Sequence, residues 1–279
     1  MRASDITADG AFRFRSKLER RIVRRAGSAI GDFGLIAEDD RLLVAVSGGK
    51  DSLALLETLA VLRRRAPVRF SFTAVTVDQG QSGFSTEWLE AHYRRQGYAY
   101  RIVRAPIAEV VQEKRDGAST PCALCSRLRR GVLYTVAGQL GCNKIVLGHH
   151  LDDLIETLLL NLFFSGKLRA MAPRYRTEDG RYEVIRPLCY VPEAWLAAYG
   201  AERRFVTVSC MSLGCVGPDS RRLEVKGMVS ALAARHPQIR DQARRALRNV
   251  KADHLLDREL VERLLCCCRQ PVEGPGQGW

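Results

Sequence analysis

Two cysteines lie three positions apart, directly before a run of arginines, in the segment TPCALCSRLRRG. Pairs at this spacing, here Cys122 and Cys125, are typical of zinc sites, iron–sulfur sites and redox dithiols, although two buried thiols without a role can share it. The whole chain contains nine cysteines. A disulfide framework is disfavoured in a chain of this size in a reducing compartment, so metal, cluster or thiol chemistry better explains the clustered cysteines.

A glycine-rich loop forms a second candidate site, between an apolar run and a helical pattern in VAVSGGKDSLALL. Two glycines let the backbone approach an anion closely, and the N–H groups that follow point at it with the helix dipole behind them. Two serines add hydroxyl donors, the lysine adds positive charge, and the aspartate can hold Mg²⁺ against phosphate. The alternative is an ordinary glycine turn in which Asp51 caps the helix. The loop consists of Ser47, Gly48, Gly49, Lys50, Asp51 and Ser52.

A third candidate lies in KIVLGHHLDDLIET, where a strand-like run ends and a helical pattern begins. Here His149, His150, Asp152 and Asp153 adjoin the carboxyl end of the predicted strand. Ligands of open α/β sheets bind at that end of the strands, so these residues are expected to contact a nucleotide or Mg²⁺. The alternative is that the acids cap a helix and the histidines have structural partners.

Strand-like and helix-like patterns alternate along the chain. Short apolar or alternating runs predict strands, and longer runs with helical periodicity follow them. This alternation predicts an α/β fold with a doubly wound, mostly parallel sheet, in which the candidate sites lie at the carboxyl ends of the strands. The predicted strands cover residues 41–46, 68–78, 98–105, 143–148 and 182–188.

Positive charge exceeds negative charge by 13, from 44 Lys and Arg against 31 Asp and Glu. Such an excess favours a polyanionic partner such as nucleic acid. Many of the arginines lie between Arg13 and Arg25, in a predicted helix with an apolar stripe at every fourth residue. The arginine-rich face of this helix is either solvated surface or an RNA contact.

Several of these motifs resemble those of known families. The loop SGGKDS resembles the PP-loop of the ATP pyrophosphatases, whose members bind ATP, transfer adenylate to a substrate oxygen and release pyrophosphate. The stretch GHHLDDLIET resembles the HHxDDxxET motif of lysidine synthetases and tRNA thiolases. With CSRLRRGVLY, VDQGQSGF and VIRPL, the chain closely resembles the tRNA 2-thiocytidine synthetases from position 17 to position 257. The resemblance implies a PP-loop fold of the adenine nucleotide alpha hydrolase type.

The resemblance implies three cofactors, which are ATP, Mg²⁺ and a [4Fe–4S] cluster. In the family the cluster is held by the Cys-x-x-Cys pair and one later cysteine, which leaves one iron open to carry sulfur. Cys122 and Cys125 match the pair. In FVTVSCMSLGCVG the later ligand is expected to be Cys210, with Cys215 as the alternative. A structural zinc site formed by all four cysteines is the rival explanation.

The resemblance also implies roles for the matching residues. Binding of ATP is expected from the glycine-rich loop with His150 and Asp153, and binding of Mg²⁺ from Asp51 and Asp152. The residues expected to be catalytic are Lys50, Asp51, Asp152, Cys122 and Cys125.

The implied reaction is an ATP-dependent thiolation of tRNA. The C2 oxygen of cytidine 32 in the anticodon loop attacks the α-phosphate of ATP and pyrophosphate leaves. Sulfide then attacks C2, and the adenylated oxygen leaves as AMP to give 2-thiocytidine. A single-stranded loop suits this reaction because its bases can be splayed out without melting a helix. Basic residues in two segments are expected to contact the tRNA: Arg127, Arg129 and Arg130, then Lys167 and Arg169 in a loop that Arg174 and Arg176 extend.

Two rival functions remain open, thiolation of another base or a small molecule, and RNA binding by a zinc-stabilised protein with a vestigial ATP site. The resemblance further implies a homodimer and a cysteine desulfurase as the source of sulfur.

The sequence predicts a cytoplasmic protein without membrane contact. It contains no apolar run of the roughly 20 residues that a membrane span needs, and its N-terminal segment lacks the apolar core of a secretory signal. Four segments are predicted, which are a basic helical segment at 1–39, a PP-loop ATP-binding catalytic domain at 40–205, a C-terminal segment with the third cluster cysteine and helices at 206–265, and a flexible tail at 266–279.

Overall fold

A computed structural model describes residues 13–81, 84–114, 121–207 and 221–267 of the chain. Its strands are β1 (Asp40–Ala45), β2 (Phe70–Asp78), β3 (Tyr100–Arg104), β4 (Lys144–Val146), β5 (Arg174–Arg176) and β6 (Glu183–Ile185). These strands form one sheet in the order β3-β2-β1-β4-β6-β5. All neighbouring pairs are parallel except β5 and β6. The predicted doubly wound, mostly parallel sheet is confirmed.

Helices cover both faces of the sheet. They are α1 (Lys17–Phe33), α2 (Lys50–Arg65), α3 (Glu87–Gln96), α4 (Ile107–Glu113), α5 (Pro121–Gln139), α6 (Leu151–Phe164), α7 (Glu193–Glu202), α8 (Arg221–Arg235), α9 (Ile239–Ala246) and α10 (Arg258–Cys267). Side chains alternate along β1, so Leu42 and Val44 join the core with α1, α2, α3 and α7, while Leu43 joins the core with α4 and α5.

The described chain divides after Arg240 into two compact units. The first contains the sheet and the helices through α8. The second, described as far as Cys267, contains α10 and a short 3-10 helix, Ala252–His254, which pack on each other. Among the helices of the described residues, none is long and apolar enough to span a membrane.

The direction of strand addition reverses beside β1. The chain passes from β1 to β2 and β3 on one side, and later adds β4 on the other side of β1. Connections therefore diverge at the carboxyl ends of β1 and β4, which opens a crevice at this edge of the sheet. The glycine-rich loop follows β1 and the GHHLDD segment follows β4, so the fold places the two predicted halves of the site side by side.

The expectation that Arg174 and Arg176 belong to a loop is wrong. Both residues lie in β5, the edge strand that pairs antiparallel with β6. The physical reason is that three residues are too few to show a strand pattern, and the hydrogen bonds to β6 decide their conformation.

A buried carboxylate joins three helices. Glu57 of α2 is 1% exposed and accepts a hydrogen bond from the hydroxyl of Tyr199 at 2.7 Å. Two guanidinium nitrogens of Arg203 donate to it at 2.8 and 3.1 Å, and Arg15, just before α1, donates at 3.3 Å. Because the charges are paired, this cluster ties α1 and α7 to α2, the helix that begins at the glycine-rich loop.

We expect Glu57→Ala to lower the free energy of unfolding by about 3 kcal/mol, because it leaves the partly buried guanidinium of Arg203 without its carboxylate and empties the buried site beside Tyr199. Equilibrium urea denaturation followed by circular dichroism measures this loss. The matched control is Glu90→Ala, which removes an ion pair with Arg94 at the surface and should cost less than about 1 kcal/mol. Equal losses in the two variants would contradict the role given to Glu57.

Candidate active site

The glycine-rich loop turns sharply between β1 and α2. Gly48 has a φ of 81°, a left-handed conformation that favours glycine. A Cβ at this position would lie 3.6 Å from the ring of Trp88. Helix α2 begins at Lys50 with Gly49 as its N-cap. The alternative in which Asp51 caps the helix is therefore wrong.

Ser52 makes hydrogen bonds within this loop, and its backbone lies close to the loop that follows β4. Its hydroxyl donates to the Gly49 carbonyl at 2.9 Å and accepts from the Ser47 N–H at 3.2 Å. A Cβ on Gly148 would lie only 3.2 Å from the Ser52 backbone nitrogen. Because the atoms it would meet are backbone, a side chain at position 148 would force the two loops apart by a few tenths of an ångström.

A cavity of about 220 Å³ lies where the loops meet. Its wall includes Ser47, Asp51 and Ser52 from the first loop, with His149 and Asp153 from the second. The rest of the wall consists of Ala45, Val46, Val75, Val77, Gln79, Arg129, Leu133, Leu147 and Gly148. Polar groups thus converge on a partly apolar pocket at the carboxyl ends of the strands, as expected of a ligand site.

Lys50 lies against acidic side chains beside the cavity. Its Nζ is 3.0 Å from both carboxylate oxygens of Asp51 and 3.1 Å from Oε1 of Glu193, at the start of α7. Burial opposes the charge of Lys50, but these two carboxylates raise its pKa overall. The lysine is therefore held in place as a cation within the glycine-rich loop.

The two aspartates of GHHLDD have different surroundings. Asp152 is 2% exposed, and its carboxylate contacts the guanidinium of Arg240 and accepts the Glu193 N–H at 2.7 Å. Asp153 instead lines the cavity. The structure thus brings Asp153 to the cavity wall, whereas Asp152 is buried outside it.

His150 is buried between the acids of both loops. Its Nε2 lies 3.9 Å from Oδ2 of Asp51, and its backbone N–H donates to Oδ2 of Asp153 at 3.0 Å. Within the described part of the chain, its Nδ1 has no hydrogen-bond partner. His150 adjoins the cavity without being part of the wall given above.

His149 has a fixed neutral tautomer. Arg186 Nε donates to His149 Nδ1 at 3.2 Å. Because a guanidinium cannot accept a hydrogen bond, the neutral imidazole carries its proton on Nε2. Burial, followed by the positive charge of Arg186, lowers the pKa of His149 to about 4. At neutral pH, His149 therefore provides an uncharged N–H donor in the cavity wall.

Cys125 contacts a residue of the cavity wall. It is 7% exposed, and its thiol donates to Oε1 of Gln79, a wall residue, with an S–O distance of 2.9 Å. Cys122 is one turn earlier in α5, and residues three apart share one face of a helix. The backbone therefore places both cysteine positions on the helix face that meets the cavity.

The remaining cluster ligand is not defined by the fold. Cys210 and Cys215 both lie outside the described residues, as does the side chain of Cys122. Among the side chains that are described, no group of three or more His, Cys, Asp and Glu residues is arranged to hold a metal ion. The ligand set therefore stays a prediction.

The predicted tRNA contacts fall in different places. Arg129 lines the cavity and lies four residues after Cys125 on the same face of α5. Arg127 and Arg130 are exposed on α5, and Lys167 and Arg169 are exposed in the loop after α6. Exposure is compatible with RNA binding and with simple solvation, so these four assignments stay predictions.

Sequence reasoning missed four residues of the site. Gln79 and Arg186 occur in VDQGQSGF and VIRPL, motifs that support the family resemblance but do not reveal their partners. No motif marks Gly148 as a contact to Ser52, or Glu193 as a partner of Lys50. These contacts join segments that are far apart in the chain.

The chain is similar to known proteins along most of its length. The family model described as PP-loop domain matches residues 17–207. A tRNA-cytidine(32) 2-sulfurtransferase from Anaeromyxobacter sp. (strain Fw109-5) is 46% identical over 256 residues, which cover 92% of this chain and 84% of the relative. Another, from Syntrophotalea carbinolica, is 49% identical over 249 residues, which cover 88% of this chain and 95% of the relative.

A solved structure shares the fold. The U34-tRNA thiolase NcsA from Methanococcus maripaludis, with its [4Fe-4S] cluster, matches with a TM-score of 0.64 and 21% identity over 89% of this chain and 86% of that chain. The PP-loop model covers more than half of the chain, and the two relatives align over most of their own lengths. The chain therefore belongs to the PP-loop family and, within it, to the tRNA-cytidine(32) 2-sulfurtransferases.

Proposed function

We propose that this protein is an ATP-dependent tRNA sulfurtransferase that replaces the C2 oxygen of cytidine 32 with sulfur to give 2-thiocytidine. One observation carries the proposal: a single cavity joins the glycine-rich loop to Gln79, the partner of Cys125. The reaction needs the ATP-binding loop and the sulfur-carrying cysteines close to one cavity, because the adenylated base must react with sulfur before water can hydrolyse it. Family membership supports tRNA as the substrate, since the relatives are named for cytidine 32 of tRNA.

ATP is proposed to bind at the glycine-rich loop. The N–H groups at the start of α2, the hydroxyls of Ser47 and Ser52 and the charge of Lys50 suit phosphate oxygens. In the wall, Arg129 adds a positive charge and His149 adds a neutral donor. These groups would offset the negative charge that develops at the α-phosphate as the C2 oxygen attacks it.

Magnesium is proposed to bind at the acids between the loops, because carboxylate oxygens are the ligands that Mg²⁺ prefers. Asp51 lines the cavity and suits this role. Asp153 suits it better than Asp152, because Asp153 lines the cavity, whereas Asp152 is 2% exposed and lies outside the cavity wall, in contact with Arg240 and the Glu193 N–H. We assign Asp152 instead to the support of the loop.

The [4Fe–4S] cluster is proposed to bind Cys122, Cys125 and Cys210. Two cysteine positions on one helix face and a buried thiol that contacts the cavity wall fit such a group, since soft thiolates select iron–sulfur clusters. When bound, the cluster would supply the sulfur that replaces the C2 oxygen. Gln79 would orient Cys125 toward the cavity.

The partners of the protein follow from the family resemblance. We propose a cysteine desulfurase as the source of sulfur, a homodimeric assembly and a cytoplasmic location. The net charge of +13 supports a polyanionic substrate. Arg127, Arg130, Lys167 and Arg169 are proposed to contact tRNA phosphates.

Nucleoside mass spectrometry tests the function. We expect tRNA from a strain without this gene to lack 2-thiocytidine, and the wild-type gene to restore it. Cys125→Ala should fail to restore it, because the cluster loses a ligand. Cys142→Ala is the matched control, since Cys142 is buried in the core and outside the cavity wall. An unchanged level of 2-thiocytidine in tRNA from the deletion strain would contradict the proposed function.

Anaerobic purification tests the cofactor and its third ligand. We expect a brown protein with iron and acid-labile sulfide, and we expect Cys210→Ala to lose the iron while Cys215→Ala keeps it. The physical reason is that thiolate ligands hold the cluster, so removing one releases it. A colourless protein with stoichiometric zinc, or iron lost only from Cys215→Ala, would contradict the assignment.

Acid titration tests the neutral state of His149. The unfolded imidazole titrates near 6.5 and the folded one at about 4. Between these values the unfolded state binds the proton and the folded state does not, so stability falls as the pH decreases from about 6.5 to about 4. Urea denaturation at several pH values should therefore show a smaller loss for His149→Gln than for the wild type. Identical losses would show that His149 is not held neutral.

A further inference from the structure

Three cations from the C-terminal helices contact acids of the active site. Lys226 of α8 lies 3.0 Å from Oε1 and 2.9 Å from Oε2 of Glu193. Arg222, one turn earlier, lies 3.7 Å from a carboxylate oxygen of Asp153, and Arg240 contacts Asp152. The electrostatic environment of the glycine-rich loop is thus completed by residues beyond the part matched by the PP-loop model, which ends at 207.

Lys226 shares a carboxylate oxygen with Lys50 of the glycine-rich loop. Lys50 and Lys226 donate to Oε1 of Glu193 at 3.1 and 3.0 Å, so their ammonium groups lie within about 6 Å of each other. Burial opposes the charge of Glu193, but hydrogen bonds from Lys226 and Lys50 lower its pKa to about 2. The group is therefore a carboxylate flanked by two ammonium groups over the whole physiological pH range.

We propose that Lys226 is a second pyrophosphate-binding residue, which acts with Lys50 on the β- and γ-phosphates of ATP, and that Glu193 is the positioning residue that aligns both ammonium groups. The proposal rests on the proposed function, since it assumes that ATP binds at the glycine-rich loop. Paired lysines suit a pyrophosphate group because its two phosphates offer several anionic oxygens side by side. Lys226 would thereby act on the leaving group of the adenylation step.

The geometry allows the two lysines to exchange their contact with Glu193 for contacts with phosphate oxygens. The side chain of Lys226 is 45% exposed, so a ligand can reach it. The backbone of Glu193 is held by its N–H donor bond to Asp152, so the side chain of Glu193 stays rooted beside the lysines when they turn to phosphate. Pyrophosphate carries more negative charge than one carboxylate and competes well for both cations.

Calorimetric titration of the anaerobically purified full-length protein with inorganic pyrophosphate and Mg²⁺ tests the proposal without tRNA. We expect Lys226→Met to weaken pyrophosphate binding about tenfold, because one charge-assisted contact is lost. Lys226→Arg should retain most of the affinity. Glu193→Gln should bind pyrophosphate more tightly than the wild type, because the amide still accepts hydrogen bonds from both lysines but no longer competes as an anion.

The matched control is Arg235→Met, which removes one positive charge from an exposed position at the other end of α8. It should change the affinity by less than roughly twofold, since solvent and salt screen a distant surface charge. Opposite effects of Lys226→Met and Glu193→Gln would exclude damage to the fold as the cause.

Two results would overturn the inference while leaving the proposed function intact, provided that the wild type binds ATP. They are wild-type affinity in Lys226→Met and an equal loss in Arg235→Met. Weaker binding by Glu193→Gln would overturn the role of Glu193. A wild-type protein that binds neither ATP nor pyrophosphate would overturn the proposed function and this inference together.

Discussion

The close approach of two loop backbones beside β1 is the constraint on which the site depends. A Cβ at Gly148 would lie 3.2 Å from the backbone nitrogen of Ser52, so any other residue would shift the loops apart by a few tenths of an ångström and change the cavity between them. Helix α2 starts at one loop and α6 starts at the other. The positive ends of two helix dipoles therefore adjoin one small pocket, which favours an anionic ligand there.

Paired charges keep the residues around this pocket in fixed positions. Lys50 is held between Asp51 and Glu193, and Asp152 between Arg240 and the N–H of Glu193. Since each ion has a partner, the site is ordered by the protein itself, and a ligand meets side chains that already have defined orientations. Glu193 contacts both Lys50 and Asp152, and so links the start of α7 to the glycine-rich loop and to the GHHLDD segment.

Helix α5 connects the proposed cluster ligands to the cavity. Cys125, Arg129 and Leu133 recur every four residues and so share one face of the helix. Two of them line the cavity, and Cys125 reaches it through Gln79. Arg127 and Arg130 lie on other faces of the same helix and are exposed. The three arginines beside the cysteine pair are therefore not equivalent, and of these three only Arg129 lines the cavity.

The sequence by itself determined the alternation of strands and helices, the glycine-rich loop at a strand–helix junction and the second motif at another, because these features depend on local spacing. It also determined the cysteine pair, although not the metal or the third ligand. The partners of Lys50, His149 and Cys125 depended on tertiary packing, since they are distant in the chain. Asp152 and Asp153 show most clearly what the sequence alone could not determine. Successive helix residues point about 100° apart, and only the packing of neighbouring segments decided that one meets Arg240 and the other meets the cavity.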